Sequence, residues 1–417
     1  MRIIVAAAAA TVALAVLSAP PSASAYSVLS HEANIDALWD SSIKPLLRQK
    51  FPLATPDDLQ RARAYAYGGS VIQDLGYYPF GNHFFSNLVH YVRTGDFVQA
   101  LLHDAGDLEE YAFALGALAH YAADNLGHPI AVNRAVPMMY PKLKQKYGDT
   151  VTYAESPKSH ILVEFSFDVL QVAAGSYAPE AYHDFIGFEV AKQLLDRAFL
   201  ETYGLKVHDL FFDEDLTIGT YRYAVSQAIP QMTNVAWRQK HDLIDKAAPG
   251  ATREQFVFNL QRQDYEKQFG ARYKKPNMLI RVLAFLYHLV PRFGPFRVLT
   301  FKPPTPEAEK LFVDSFQQAR DRFHQSLDAL AAGRLTLANT DFDTGKPTRR
   351  GEYTLADDTY DQLLDKLADR KFADVPSALR ANISGYYASA KPPAPQGRKA
   401  RKRAERTRRE VAALDGR

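Results

Sequence analysis

Histidines and carboxylates are the residues of this 417-residue chain whose types and spacing could do chemistry. Seven of the twelve histidines fall between positions 31 and 160. In AHYAADNLGHP, His120, Asp124 and His128 are spaced four and four, so one face of a helix presents imidazole, carboxylate and imidazole. SHILVEFSFD repeats the arrangement with His160, Glu164 and Asp168. The further candidates are His31, and Asp74 with His83 in VIQDLGYYPFGNHFFS. A single His-x3-Asp pair on an apolar helix is more often a buried hydrogen-bonded pair or a half-exposed surface pair than a metal site. Two such pairs, with a third imidazole one turn beyond, point instead to metal ligation, because imidazole nitrogen and carboxylate oxygen are the ligands left to a chain without cysteine. Eight helical residues span roughly 12 Å, so His120 and His128 cannot easily share an ion, and more than one metal is expected, with Asp124 placed to bridge.

The elements that must carry these residues read as helices. Apolar positions recur at three and four over 31–49, 57–74, 96–104, 107–128, 159–173 and 178–199, and further helices are expected at 216–245, 253–268, 305–332 and 354–370. The clearest is LEEYAFALGALAHYAADNLGH: Asp107 with Glu110 forms a capping-box-like start, and Pro129 disfavours helix at His128. Residues 333–353, containing DFDTGKPTRRGEY, are turn-rich. Convincing strands are scarce, so the expected class is all-α.

Composition bounds the rest. With 47% apolar and 23% charged residues the chain is an ordinary globular protein, and the absence of cysteine excludes disulfides and thiolate nucleophiles. MRIIVAAAAATVALAVLSAPPSASA, 1–25, reads as a secretory signal peptide, so the protein is expected to be exported, periplasmic or secreted. Residues 391–417 carry ten Lys/Arg against three Asp/Glu, a net +7, whereas 26–390 carry 39 against 44, a net −5. The division expected is therefore a signal peptide, a catalytic domain over 26–248, a mainly helical C-terminal region over 249–390 and a basic flexible tail over 391–417. MLIRVLAFLYHLVPRFGPFRVLTF, 278–301, is too interrupted to span a membrane but permits peripheral contact.

The same residues resemble those of the bacterial zinc-dependent phospholipase C family, which shares an all-helical trinuclear zinc fold with fungal single-strand-specific zinc nucleases. YSVLSH, 26–31, is similar to that family's mature N-terminus; DLGYYPFGNHF, HYAADNLGHP and HILVEF supply the other ligand motifs. The resemblance implies three Zn2+ ions: one held by Asp74, His83, His120 and Asp124, a second by the α-amino and carbonyl groups of Tyr26 with His31 and Asp124, and a third by His128, His160 and Glu164. It covers roughly 26–175. Tyr26 stands where Trp is usual, and the intervals from Asp74 to His83 and from Asp124 to His128 are shorter than the family's, so His90 is kept as a substitute for His83. An α-amino ligand exists only if the chain is cut directly before Tyr26, so export would complete the site.

Such a centre implies a phosphodiesterase. Bound zinc lowers the pKa of water from about 15.7 toward roughly 7, making hydroxide available to attack phosphorus, and Asp74 is the catalytic candidate for orienting or deprotonating that water. No GxSxG elbow or Gly-rich phosphate loop competes with this reading. The expected substrate is a glycerophospholipid, with Tyr77, Tyr78, Phe80, Phe84 and Phe85 as pocket-lining candidates, at least three of the five being better explained as core. The alternatives are a nuclease or nucleotidase on the same centre, its nucleic acid collected by the basic tail, and a non-catalytic zinc-stabilised envelope binding protein.

Overall fold

The computed structural model describes residues 26–78, 80–173, 188–223, 302–390 and 397–416. Helix α1 (Val28–Leu38) passes through a wide π turn, Trp39–Ile43, into α2 (Lys44–Lys50). There follow α3 (Pro56–Val71), a 3-10 segment (Ile72–Tyr77), α4 (His83–Tyr91), α5 (Thr94–Asp104), α6 (Leu108–Gly127), a second π turn (His128–Val132), α7 (Asn133–Met139), α8 (Pro141–Tyr147) and α9 (Pro157–Ala173). Later in the chain come α10 (Lys192–Tyr203), α11 (Glu214–Tyr223), α12 (Pro306–Ala331), α13 (Thr354–Asp369), α14 (Ser377–Ala388) and α15 (Arg398–Asp415). Among the described residues the strands are two residues each, β1 (Thr340–Asp341) antiparallel to β2 (Lys346–Pro347). The protein is all-α, as the 3.6-residue periodicity requires. The signal peptide, the 253–268 helix, the 278–301 stretch and most of the 216–245 helix lie outside the described residues.

Helix α6 is the axis of the fold. Asp107 caps it by accepting from Glu110 N at 2.8 Å, while the Glu110 carboxylate accepts from Gly106 N at 2.9 Å, the two-way start that the sequence signals. Twenty residues give it a length of roughly 30 Å. It packs along α3, and the crossing is close because Gly116 has no side chain: a Cβ there would lie 2.0 Å from the Ala66 carbonyl oxygen. That approach brings the C-terminal end of α3, leading to Asp74, against the turn of α6 that bears His120. Pro129 does not stop the chain abruptly. Helical winding widens into the π turn from His128, whose N–H still bonds Asp124 O.

One apolar core runs through the described segments on both sides of position 248, and the division expected there falls among residues outside the description. Helix α12 packs along α6, with Phe323 and Leu327 in the same cluster as Ile35 and Leu118. Its Phe312 joins Tyr26, Val132 and Phe167 in an adjoining cluster. The basic tail was expected to be flexible; instead Arg398–Asp415 is helix α15, packed on α13 and α14. Leu414 is fully buried, and the acidic face of α13 accounts for the docking: Arg403 pairs with Asp358 and Asp361, and Arg406 with Asp365, at 2.7 to 2.9 Å. No helix among the described residues is long and apolar enough to cross a membrane.

Candidate metal centre

Three groups of buried His, Asp and Glu side chains bring their ligand atoms within 4.8 Å of one another: Asp74, His90 and His120; His31, His120 and Asp124; His128, His160 and Glu164. Each is supplied by different elements. Asp74 comes from the 3-10 segment after α3, His90 from the last turn of α4, His120 and Asp124 from α6, His31 from α1, His128 from the π turn and the last pair from α9. Side-chain exposure throughout is 3% or less.

Backbone carbonyls fix which ring nitrogens face inward. His120 Nδ1–H donates to Ser70 O at 2.9 Å, His90 Nδ1–H to Ser86 O at 2.8 Å, and His160 Nε2–H to Val151 O at 2.6 Å. The opposite nitrogen of each ring is thereby left to the centre, the outer-partner arrangement typical of metal-ligating histidines. His120 Nε2 and His90 Nε2 face each other at 3.4 Å, and Asp124 Oδ2 lies 3.1 Å from the first and 3.5 Å from the second. Asp124 Oδ1 is 3.4 Å from His31 Nε2, so the two carboxylate oxygens serve two groups. Asp74 Oδ1 is 3.4 Å from His90 Nε2.

These spacings fit zinc. Ligands held tetrahedrally at 2.0 to 2.1 Å are separated from one another by about 3.3 Å. Two buried imidazole nitrogens aimed at each other at that distance need a cation or a proton between them. His128 Nδ1 and His160 Nδ1 are buried and take part in no hydrogen bond. Without a metal, burial works against charge on His90, but Asp124 and Asp74 overcome it and push the imidazole up to about 10. Burial and the neighbouring His120 bring His31 down to about 4, and burial lowers His128 and His160. Against its own burial, the surrounding imidazoles hold Asp124 well below the usual carboxylate range.

The placement corrects one ligand. His83 opens α4, half-buried and edge-on to Tyr77 at 5.6 Å, and belongs to none of the three groups; His90, two turns later, takes the place beside Asp74. The ring of Tyr26 lies 6.0 Å from that of His31, and its hydroxyl hydrogen-bonds Ser315 on α12 at 2.6 Å. Asp168 binds the start of α1 rather than a metal group, accepting from Leu29 N at 3.0 Å and from Ser30 Oγ at 2.5 Å. Of the aromatic candidates, Tyr77 lies beside His90 at 5.6 Å, Tyr78 stacks on Tyr221, and Phe84 and Phe85 are in the core.

Sequence reading missed Asp343. It lies in the β1–β2 loop, which the sequence marks only as turn-rich and which closes over the centre. Phe342 packs 5.3 Å from His90 and 6.1 Å from His120, and Phe342 N bonds His90 O at 3.1 Å. Asp343 is 1% exposed and its Oδ1 is 3.2 Å from His128 Nδ1; burial pushes its carboxyl up to about 7. The Asp-Phe-Asp spacing was the available signal, but nothing local says which of the two carboxylates turns inward.

Residues 35–211 match the family described as zinc dependent phospholipase C. No curated protein and no solved structure matches the chain. The matched span contains Asp74, His90, His120, Asp124, His128, His160 and Glu164, and leaves Tyr26, His31 and Asp343 outside it. Over residues 35–211 the chain is therefore similar to the zinc-dependent phospholipase C family, a family of phosphodiesterase hydrolases.

Proposed function

We propose that the protein is an exported zinc-dependent phosphodiesterase of the phospholipase C type, releasing a phosphorylated head group from a glycerophospholipid. The observation that carries this reading is that Asp124 sets one carboxylate oxygen against His31 and the other against His120 and His90, with a third group of His128, His160 and Glu164 adjoining. Zinc bound there supplies an acidified water and charge neutralisation for a phosphodiester, chemistry that needs no protein nucleophile. The residues of the chain do the positioning. Ser70, Ser86 and Val151 carbonyls orient three imidazoles, and Asp124 couples two groups. Asp74, beside His90, is the carboxylate we assign to orient water and accept its proton.

Lipid is favoured over nucleic acid by one finding. The basic segment that would have collected a polyanion has Arg403 and Arg406 committed to the carboxylates of α13. The deciding experiment offers zinc-loaded protein beginning at Tyr26 phosphatidylcholine vesicles and single-stranded DNA in parallel, with His160→Ala as the blank. Diacylglycerol release that disappears in the blank supports the phospholipase reading. Nucleotide release would transfer the centre to nuclease chemistry, and zinc-dependent folding without turnover of either substrate would make it structural.

A further inference from the structure

The loop between β1 and β2 is held against the centre from several directions. Thr340 exchanges hydrogen bonds with Thr94 Oγ1 at 3.0 and 2.8 Å and donates to Asn125 Oδ1 at 2.6 Å. Asn133 Nδ2 donates to Asp343 O at 2.6 Å. Gly345 adopts φ +67°, where a Cβ would also lie 2.6 Å from Asn125 O, so this turn needs glycine to sit so close to α6. These contacts fix the Asp343 backbone beside His128, and the Tyr353 hydroxyl, donating to Asp343 Oδ2, sets the carboxylate's rotation.

The remaining oxygen is the informative one. Asp343 Oδ1 lies 3.2 Å from His128 Nδ1, yet neither atom takes part in a hydrogen bond. A buried carboxylate oxygen at hydrogen-bonding distance from a ring nitrogen, without hydrogen-bonding alignment, costs free energy unless a third partner sits between them. The separation is that of two ligands on one tetrahedral zinc, about 3.3 Å, and matches the 3.4 Å spacings of His31 to Asp124 and of His90 to Asp74 in the other two groups.

The geometry points to Asp343 as a protein ligand of the third metal position, completing His128, His160 and Glu164 into a four-ligand set. The inference rests on the zinc-centre reading above and deepens it, because a position with four protein ligands is closed, whereas one with three keeps a place for substrate. A phosphate oxygen then reaches this position only by displacing Asp343, and the loop from the C-terminal segment becomes part of the metal centre rather than a cover over it.

The chain contains no cysteine, which allows a direct test. Asp343→Cys introduces a single thiol, and the longer metal–sulfur bond compensates for the shorter side chain. In cobalt-loaded Asp343→Cys protein, a near-ultraviolet thiolate-to-cobalt charge-transfer band is expected. Cobalt bound at the wild-type stoichiometry without that band would overturn the assignment. A second variant, Asp343→Asn, is titrated with zinc against a competing chelator: one of three positions is expected to weaken at least tenfold. The melting temperature of its zinc-free form should not fall, since the removed charge is buried beside His128 with no ion to offset it. Unchanged zinc affinity in Asp343→Asn, or a zinc-free form destabilised as much as the loaded one, would also overturn the assignment. If wild-type protein binds neither metal, the zinc-centre reading fails and takes the ligand assignment with it, whereas wild-type binding that is indifferent to position 343 sinks the assignment alone.

Discussion

The imidazoles of His31 and His120 stack face to face, with ring centroids 4.2 Å apart and planes 11° from parallel, and both present Nε2 to the Asp124 carboxylate. One ring comes from the first helix and the other from the central one, so this contact ties the N-terminal segment to the metal centre. It also makes Asp124 the residue whose two oxygens serve different groups. Asp124→Asn is therefore expected to remove two of three zinc ions and to lower hydrolysis by roughly a hundredfold or more, while His160→Ala removes one. Metal content by mass spectrometry after exhaustive dialysis checks this. Loss of a single ion from Asp124→Asn would show that the carboxylate does not bridge.

His83 and His90 lie two turns apart on the same helix but only His90 reaches the centre. His83→Ala should leave zinc content unchanged and activity within about threefold, whereas His90→Ala should lose one ion and most activity. The reverse ranking would return His83 to the ligand set and require α4 to shift.

How much of the centre could be read in advance depended on whether its residues share an element. His120, Asp124 and His128 share α6 and the turn that follows, and His160 and Glu164 share α9, so helical spacing displayed them directly. His83 takes precedence over His90 in the sequence because DLGYYPFGNHF supplies it as the motif partner of Asp74. Distance along the chain carries no information across the break between the 3-10 segment and α4, where the direction of the helix decides. Asp343 was invisible for a related reason: its role depends on a loop that travels back to α6 and α4 from more than 200 residues away. The tail misled through composition. Its Arg-rich composition reads as a flexible tail because the complementary Asp358, Asp361 and Asp365, spaced three and four on α13, lie in a segment read for its apolar stripe.

Zinc and a proton should compete for His90. In the zinc-free protein its folded-state value of about 10 lies above the ordinary 6.5, so the proton stabilises the fold fully below about pH 6.5, and that contribution is lost as pH rises through about 10. The ligand form is the neutral ring, so the sign for metal binding is opposite: apparent zinc affinity at the Asp74–His90–His120 group should rise about tenfold per pH unit from 7 toward 10. Calorimetry in buffers of different ionisation enthalpy should record about one proton released at this group at pH 7. No proton release there would mean that the apo site holds His90 neutral.

The segment from Tyr26 to Ser30 is held from two sides. Tyr26 is buried edge-on against Phe312 at 5.4 Å and bonded to Ser315, and Asp168 grips Leu29 N and Ser30 Oγ from α9. These contacts hold His31 in register with Asp124, and the Tyr26 ring lies 6.0 Å from that of His31. Protein cut directly before Tyr26 can offer a free α-amino nitrogen there, and a chain extended by one residue cannot, because that nitrogen is then an amide. We expect protein beginning at Tyr26 to hold three zinc ions and a version with one preceding residue to hold two, with most activity lost and the fold intact by circular dichroism. Asp168→Asn in protein beginning at Tyr26 should weaken the His31–His120–Asp124 group without affecting His128, His160 and Glu164. Equal zinc content in the extended and cut forms would show that the terminus is docked for packing and takes no part in the centre.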